Sequence, residues 1–101
     1  MYEGDKDGIA NTLWSIACID FQQQRWQDAF ERLEKSYALN LELGRLDGIC
    51  FVGLDFGRLL CAAGNREQGL KILHRSCDGF AKLDRQDMAQ QAKDLMDRFS
   101  Q

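Results

Sequence analysis

The segment Gly44-Arg45-Leu46-Asp47-Gly48-Ile49 nearly copies Gly4-Asp5-Lys6-Asp7-Gly8-Ile9, which lies 40 positions earlier (44 − 4). The same shift aligns further apolar and small residues: Leu33 with Leu73, Ser36 with Ser76, Leu43 with Leu83, Ala17 with Gly57, and Ala29 with Gly69. A third copy begins at Asp84 and ends about halfway through. A period of this length is typical of stacked supersecondary units, each of which cannot bury its apolar face alone. The repeat therefore favours a binding scaffold over an enzyme.

Each copy predicts a pair of helices. Apolar side chains recur every three or four positions over 8–23 and 26–41, and the second copy repeats the scheme. On the first helix the main packing stripe is expected to contain Ile9, Leu13, Ile16 and Ala17. The last segment predicts a closing helix with these residues on its apolar side: Met88, Ala89, Ala92, Leu95, Met96 and Phe99. Because proline is absent and no stretch gives a convincing strand signal, the chain is predicted to be all-α.

Glycine and acidic residues mark the predicted helix ends. Gly44 is expected to end the second helix as a left-handed glycine, and Asp47 is a candidate N-cap for the third. Gly64-Asn65 predicts the next turn. Two antiparallel hairpins and a closing helix result, with repeat 1 at about 4–43, repeat 2 at about 44–83 and the cap at about 84–101.

Small residues at matching positions indicate close helix contacts. Ala17 and Ala29 lie on the two helices of the first hairpin, and Gly57 and Gly69 repeat that arrangement in the second. Glycine inside a helix costs about 1 kcal/mol relative to alanine. A gain from close packing of the helix axes is therefore expected at Gly57 and Gly69.

Composition narrows the class of protein. The net charge of −3 argues against a nucleic-acid binder, which normally carries a basic excess. No apolar run reaches membrane-spanning length, and the first residues do not resemble a signal peptide. The four cysteines, Cys18, Cys50, Cys61 and Cys77, are widely spaced and form no C-x-x-C motif, so they are expected to be reduced and packed. We expect a cytoplasmic protein of one domain, 1–101.

The sequence contains few residues that could form a catalytic or metal-binding site. The single histidine, His74, shares a helix face with Cys77 and Asp78. A zinc site normally needs a further ligand from elsewhere, and a nucleophilic pair would need an orienting group and an oxyanion pocket. We therefore predict no enzyme, no cofactor and no metal site, with His74 solvated on an outer helix face.

At the family level, the chain resembles tetratricopeptide repeats of the long-period subclass. The matching positions of the two copies are Leu13, Ile16, Ala17, Trp26, Ala29, Leu33 and Ser36, and Phe56, Gly57, Leu60, Gly64, Gly69, Leu73 and Ser76. Asp20, Gly53 and Arg66 depart from the family pattern, and the family's terminal proline is missing. The resemblance implies hairpins stacked as a right-handed α-solenoid.

The resemblance also implies a concave face lined by the first helix of each repeat. The partner-binding residues expected there are Asn11, Trp14, Cys18, Phe21, Phe51, Leu54, Arg58 and Arg98. Some members of the family bind a chaperone's terminal carboxylate through a lysine and an asparagine on this face. Trp14 and Cys18 occupy those two positions here, so that ligand is not expected. Alternatively, the apolar members of the set cover one another between adjacent helices.

Three functional hypotheses follow. The leading one is a non-catalytic module, part of a longer repeat protein, that binds a peptide or helix of another protein on the concave face. The second is a structural module that self-assembles into a homo-oligomer through the uncapped first repeat. The third is a metal- or thiol-dependent catalyst. Neither nucleic acid nor a membrane is an expected partner.

Overall fold

In the computed structural model, which describes residues 6–100, the chain folds into five helices joined by short turns. They are α1 (Lys6–Gln22), α2 (Trp26–Leu43), α3 (Leu46–Ala62), α4 (Arg66–Lys82) and α5 (Gln86–Phe99). No strand occurs between residues 6 and 100, so the prediction of an all-α fold is confirmed. Gly4 and Asp5, which open the first copy of the repeated motif, lie outside the described residues.

Each helix packs against the next one along the chain, and α3 also contacts α5. Because the turns are only two or three residues long, consecutive helices run antiparallel. The repeat bounds expected from the sequence can be set beside these helices. The pairs α1–α2 and α3–α4 correspond to repeats 1 and 2, and α5 to the closing helix.

All four turns contain a residue with positive φ, spaced 20 positions apart: Gln24 (φ 60°), Gly44 (69°), Gly64 (101°) and Asp84 (60°). Gly44 caps α2 as predicted, since it is left-handed and its N–H lies at the carbonyls of Asn40 and Leu41. Asp47 is not the N-cap of α3, so that prediction is wrong. The N-cap is Arg45, and Asp47 lies in the first turn, with an ion pair of 3.6 Å between the two side chains.

Two apolar clusters hold the helices together. The first joins the first hairpin to α3 and continues into α4, with Phe56 of α3 at its centre, its ring centroid 5.6 Å from that of Phe30 and 5.6 Å from that of Tyr37. The second cluster joins α3, α4 and α5. Its buried members are Cys50, Leu54, Cys61, Leu73, Cys77, Phe80, Ala89 and Ala92.

The close contact expected at Gly57 and Gly69 is confirmed. A Cβ atom on Gly69 would lie 2.8 Å from the carbonyl oxygen of Gly57, and one on Gly57 would lie 3.0 Å from the carbonyl oxygen of Gly69. The backbones of α3 and α4 therefore approach more closely than any side chain would allow. In the first hairpin Ala17 and Ala29, at the equivalent positions, are fully buried.

The stripe predicted to pack on α1 is only partly buried: Ala17 is in the core and Leu13 is half-buried, but the two isoleucines are exposed. The buried residues of α1 are Ala10, Ala17 and Asp20, whereas Ile9 and Ile16 are 49% and 37% exposed. The reason is geometric, because α1 meets α2 through small side chains. No helix within residues 6–100 lies on the side that carries the isoleucines.

The residues that depart from the tetratricopeptide pattern have local surroundings that suit them. Asp20 is almost fully buried and accepts a hydrogen bond from the Arg32 guanidinium of α2, so an ion pair lies at the position where that pattern usually has a tyrosine. Gly53 lies where Ser76, Tyr37 and Ile72 crowd the backbone, and a Cβ there would lie 2.6 Å from the Ser76 hydroxyl.

Candidate functional site

The first helices of the three copies, α1, α3 and α5, form the face on which the binding residues were predicted. Trp14 of α1 lies with its ring centroid 6.1 Å from Phe51 of α3, and Phe51 in turn lies 5.0 Å from Phe80. The Trp14 Nε1–H donates to the Asp55 Oδ2 atom of α3 at 2.8 Å. Trp14 therefore fastens α1 to α3 and is itself half-buried.

Asp55 is the polar centre of this face. While its Oδ2 accepts from Trp14, its Oδ1 lies 3.3 Å from the Arg58 Nη2 atom. Burial and then the Asp55 carboxylate raise the pKa of the nearby Cys18 thiol. Cys18 is therefore held as the neutral thiol, which is a poor nucleophile. The sequence prediction missed Asp55, although it is the one acidic residue between Gly48 and Asn65.

The face opens into an apolar groove at the C-terminal ends of α1 and α3. The groove has a volume of about 570 Å³ and is lined by Phe21, Trp26, Arg58, Leu59, Ala62, Ala63 and Phe99. Trp26, at the start of α2, is 51% exposed and meets the edge of Phe21 at a centroid distance of 5.6 Å. The Arg58 guanidinium carbon lies 5.2 Å above the Phe21 ring. This arrangement combines an aromatic wall with one cation.

Arg66 fixes the far wall of the groove. Its Nε and Nη2 atoms both donate to the carbonyl oxygen of Phe99, at 2.9 and 2.6 Å. The last carbonyl groups of a helix have no hydrogen-bond donor within that helix. The Arg66 guanidinium, at the start of α4, supplies the donors for the Phe99 carbonyl group at the end of α5. Arg66 stands 40 positions after Trp26, at the equivalent place of the second copy, and Phe99 adds a third aromatic ring to those of Phe21 and Trp26 at the groove.

The structure brings most of the predicted binding residues together. Contacts within the α1–α3 region involve Trp14, Cys18, Phe21, Phe51 and Arg58. Asn11 and Arg98 are exposed, whereas Leu54 is buried in the second apolar cluster. Leu54 therefore offers little surface to a ligand.

Two groove residues were not among the predicted binding residues. From the sequence, Trp26 is expected only as a position of the repeat pattern, and Phe99 only as part of the apolar side of the closing helix. The sequence carries one signal for Trp26, which stands where the second copy has Arg66. An aromatic and an arginine at equivalent positions indicate a site that is at least partly solvated.

The residues considered for metal binding do not form a site. Cys77 is buried, while His74 and Asp78 are exposed and pair with each other at 3.4 Å. Within residues 6–100 no three histidine, cysteine or acidic side chains lie close enough together to hold a metal ion.

Comparisons with known proteins give no assignment. No family model, curated protein or solved structure matches this chain. None of the helices in residues 6–100 is both long and apolar enough to cross a membrane. A function must therefore be inferred from the geometry of the A-helix face (α1, α3 and α5) and its groove.

Proposed function

We propose that this chain is a non-catalytic interaction module that binds a peptide or helix of another protein. The proposed architecture is a right-handed, tetratricopeptide-like stack of two repeats and a cap, forming one cytoplasmic domain within a longer repeat protein. The proposed site is the A-helix face together with its groove. The observation that carries the proposal is the groove between Phe21, Trp26 and Phe99.

The groove is suited to an apolar side chain. Ligand pockets are usually concave and mostly apolar, with a few polar groups that orient the ligand. Leu59 and the alanines form the floor, and Trp26 presents a half-exposed indole at the rim. Covering an exposed tryptophan next to a pocket removes apolar surface from water, and tryptophan is a frequent anchor residue of interfaces.

The charges near the groove favour an acidic neighbour on the ligand. Arg58 lies at the groove with its side chain 45% exposed, and its partner Asp55 is shared with Trp14. Arg98, on α5, is also exposed. The proposed ligand is therefore a segment with one aromatic or long aliphatic anchor and an acidic residue nearby.

The test is a screen of displayed peptides against the intact chain, followed by affinity measurements on one recovered peptide. Trp26→Ala should weaken binding by at least about tenfold, since anchor residues commonly contribute 2 kcal/mol or more. Arg58→Gln should weaken binding of acidic peptides and lower its salt dependence. Lys71→Ala, an exposed change on α4 away from the groove, is the matched control and should leave the affinity within about twofold.

Fluorescence gives a second measurement. In the Trp14→Phe variant, Trp26 is the one tryptophan left to give fluorescence. A soluble quencher should reduce that fluorescence in the free protein, and the quenching should weaken when peptide is bound. If no peptide is recovered, or if a recovered peptide binds the Trp26→Ala variant as tightly as the wild type, the groove is not the site.

A further inference from the structure

The outer surface of α4 carries the opposite charge to the outer surface of α2. A shift of 40 aligns the two helices, and the aligned, exposed residues include acidic side chains on α2 and basic or imidazole side chains on α4. These pairs are Glu31 with Lys71, Glu34 with His74, and Glu42 with Lys82. Because both members of each pair are exposed, packing does not require the change of charge. The basic side chains of α4 are therefore candidates for binding.

These side chains surround a shallow hollow of about 440 Å³. The residues around it include Leu46, Lys71, His74, Arg75, Gly79 and Lys82, and we call it the α4 hollow. A Cβ atom on Gly79 would lie 3.2 Å from the Leu46 Cδ1 atom, so the start of α3 approaches α4 closely there. Leu46 is 38% exposed. It therefore gives a basic hollow an apolar floor.

Most of the cations at the hollow have no acidic partner within the chain. His74 lies 3.4 Å from Asp78, but Lys71, Arg75 and Lys82 form no ion pair with any residue in 6–100. Arg75 lies near the Tyr37 hydroxyl of α2, where burial raises the pKa of the tyrosine and the guanidinium opposes part of that rise. The positive charge of the hollow is therefore largely uncompensated within residues 6–100.

This face of α4 is distinct from the surfaces that build the stack. The helix packs against α3 and α5, and its Ile72 joins Tyr37 of α2 in the first apolar cluster. The exposed residues lie on the side that remains. In a consecutive stack each further unit packs on the preceding one, so a helix added beyond α1 or α5 would not lie over the α4 hollow.

We propose that the α4 hollow binds an extended acidic segment of another protein, at a site separate from the groove. Lys71 and Arg75 are one helical turn apart and can hold one carboxylate together, while Lys82 holds a second. The centre of the first pair, position 73, lies nine positions before Lys82 (82 − 73), which is about 13 Å along a helix. Carboxylates at that separation can reach both ends of the hollow.

An extended strand supplies this separation with its side chains correctly directed. Alternate side chains of a strand point to the same side, and positions four apart lie about 13 Å from each other. The segment that fits therefore has an acidic residue, an apolar residue two positions later and a second acidic residue after two more. The apolar side chain falls near the middle of the hollow, over Gly79 and Leu46.

The hollow is less suited to a polyanion such as nucleic acid or an anionic membrane surface. Asp78 lies between Arg75 and Lys82 along α4 and is exposed. Its carboxylate would repel an unbroken row of phosphates, whereas it meets the uncharged middle of the proposed segment. The whole chain has a net charge of −3, which disfavours long-range attraction of a polyanion.

The test is a titration of the intact chain with a blocked peptide of sequence GEALAEG, followed by amide chemical shifts. Exposed ion pairs each strengthen binding only about two- to fivefold, so peptide concentrations reaching about 5 mM are needed to populate a weak complex. The shifts should change in residues 71–82 and at Leu46. The neutral peptide GQALAQG should bind at least about fivefold more weakly, since it loses both charge contacts.

Protein variants identify the contacts. Lys71→Gln and Lys82→Gln should each weaken GEALAEG binding about two- to fivefold, and Lys93→Gln, which removes an exposed cation of α5, is the matched control and should leave it unchanged. Leu46→Ser should weaken binding of GEALAEG but not of GEAGAEG, which lacks the apolar side chain. Circular dichroism verifies that each variant is folded. Trp26→Ala should bind GEALAEG like the wild type, so this site and the groove succeed or fail separately.

Three outcomes would overturn the proposal. The first is an absence of shifts in residues 71–82 over the whole titration. The second is equal binding of GELEAAG, which has the same composition with the two acids only two positions apart, because the response would then reflect charge alone. The third is a response of the α4 amides to vesicles of equal parts phosphatidylcholine and phosphatidylserine but not to GEALAEG, which would assign the hollow to a membrane surface.

Discussion

The α1 and α3 helices have matching patterns and different surroundings. Ile16 and Phe56 occupy the same position of the repeat, yet Ile16 is on the surface and Phe56 is at the centre of the first apolar cluster. Periodicity marks which side of a helix is apolar, while burial depends on whether another helix lies there. Within residues 6–100, α3 packs against both α2 and α4, whereas α1 packs mainly against α2.

The largest loss of stability is expected from replacing Phe56, the buried member of this pair. Phe56→Ala should destabilise the fold by about 3–5 kcal/mol, because it empties a packed aromatic site. Ile16→Ala, at the equivalent position, should cost less than about 1 kcal/mol in the monomer. Urea denaturation at low protein concentration measures both. Equal losses for the two variants would show that α1 is covered in the isolated chain.

The next effect concerns the closest helix contact. Gly69→Leu should cost about 1–3 kcal/mol through overpacking, since even its Cβ would lie 2.8 Å from the Gly57 carbonyl oxygen. Ala29→Leu should also cost more than about 1 kcal/mol, but less than Gly69→Leu because its site already holds a Cβ. Thermal melts compare the two with Lys71→Leu as the exposed control on α4. Unchanged midpoints for both would mean that the hairpins are wrongly aligned.

The smallest effect comes from the turns. Gln24 adopts the left-handed conformation that Gly64 adopts in the second repeat, and residues other than glycine pay about 1 kcal/mol or more there. Gln24→Gly should therefore stabilise the fold by about 0.5–1 kcal/mol, and Asp84→Gly by less, since aspartate tolerates this region better. Calorimetry can resolve the change. A destabilising Gln24→Gly would imply that the Gln24 side chain makes a contact worth more than the strain.

The all-α class and the order of the helices were largely predictable because they are encoded locally. Helix positions follow from apolar spacing, Gly44 from the need for positive φ, and the approach of α3 to α4 from Gly57 and Gly69. Each of these signals involves residues close in sequence or related by the repeat. The Asp47 prediction failed since a cap is decided by backbone geometry within one residue, and a repeat period does not resolve that.

The candidate site was less predictable because it joins distant segments. The groove needs Trp26 from the start of one helix and Phe99 from the end of another, and their proximity depends on how the helices pack in three dimensions. Asp55 accepts its hydrogen bond from Trp14, which lies 41 residues earlier in the sequence. Sequence spacing identified which side of α1 carries Trp14 and Phe21, but not which partners that side would meet.

The one-sided packing of α1 also has a consequence for when parts of the molecule open. Proteins expose their amides through local openings whose free energies are lowest where few apolar contacts are broken. The α3–α4 pair, enclosed on both sides, should exchange its amide hydrogens only through global unfolding. The α1 helix can detach from the Asp55 hydrogen bond and the small-residue contact with α2 while the rest stays folded. We therefore expect α1 to be an early site of local opening, and any molecule that covers Ile9, Ile16 and Ile19, which are exposed, to slow its hydrogen exchange.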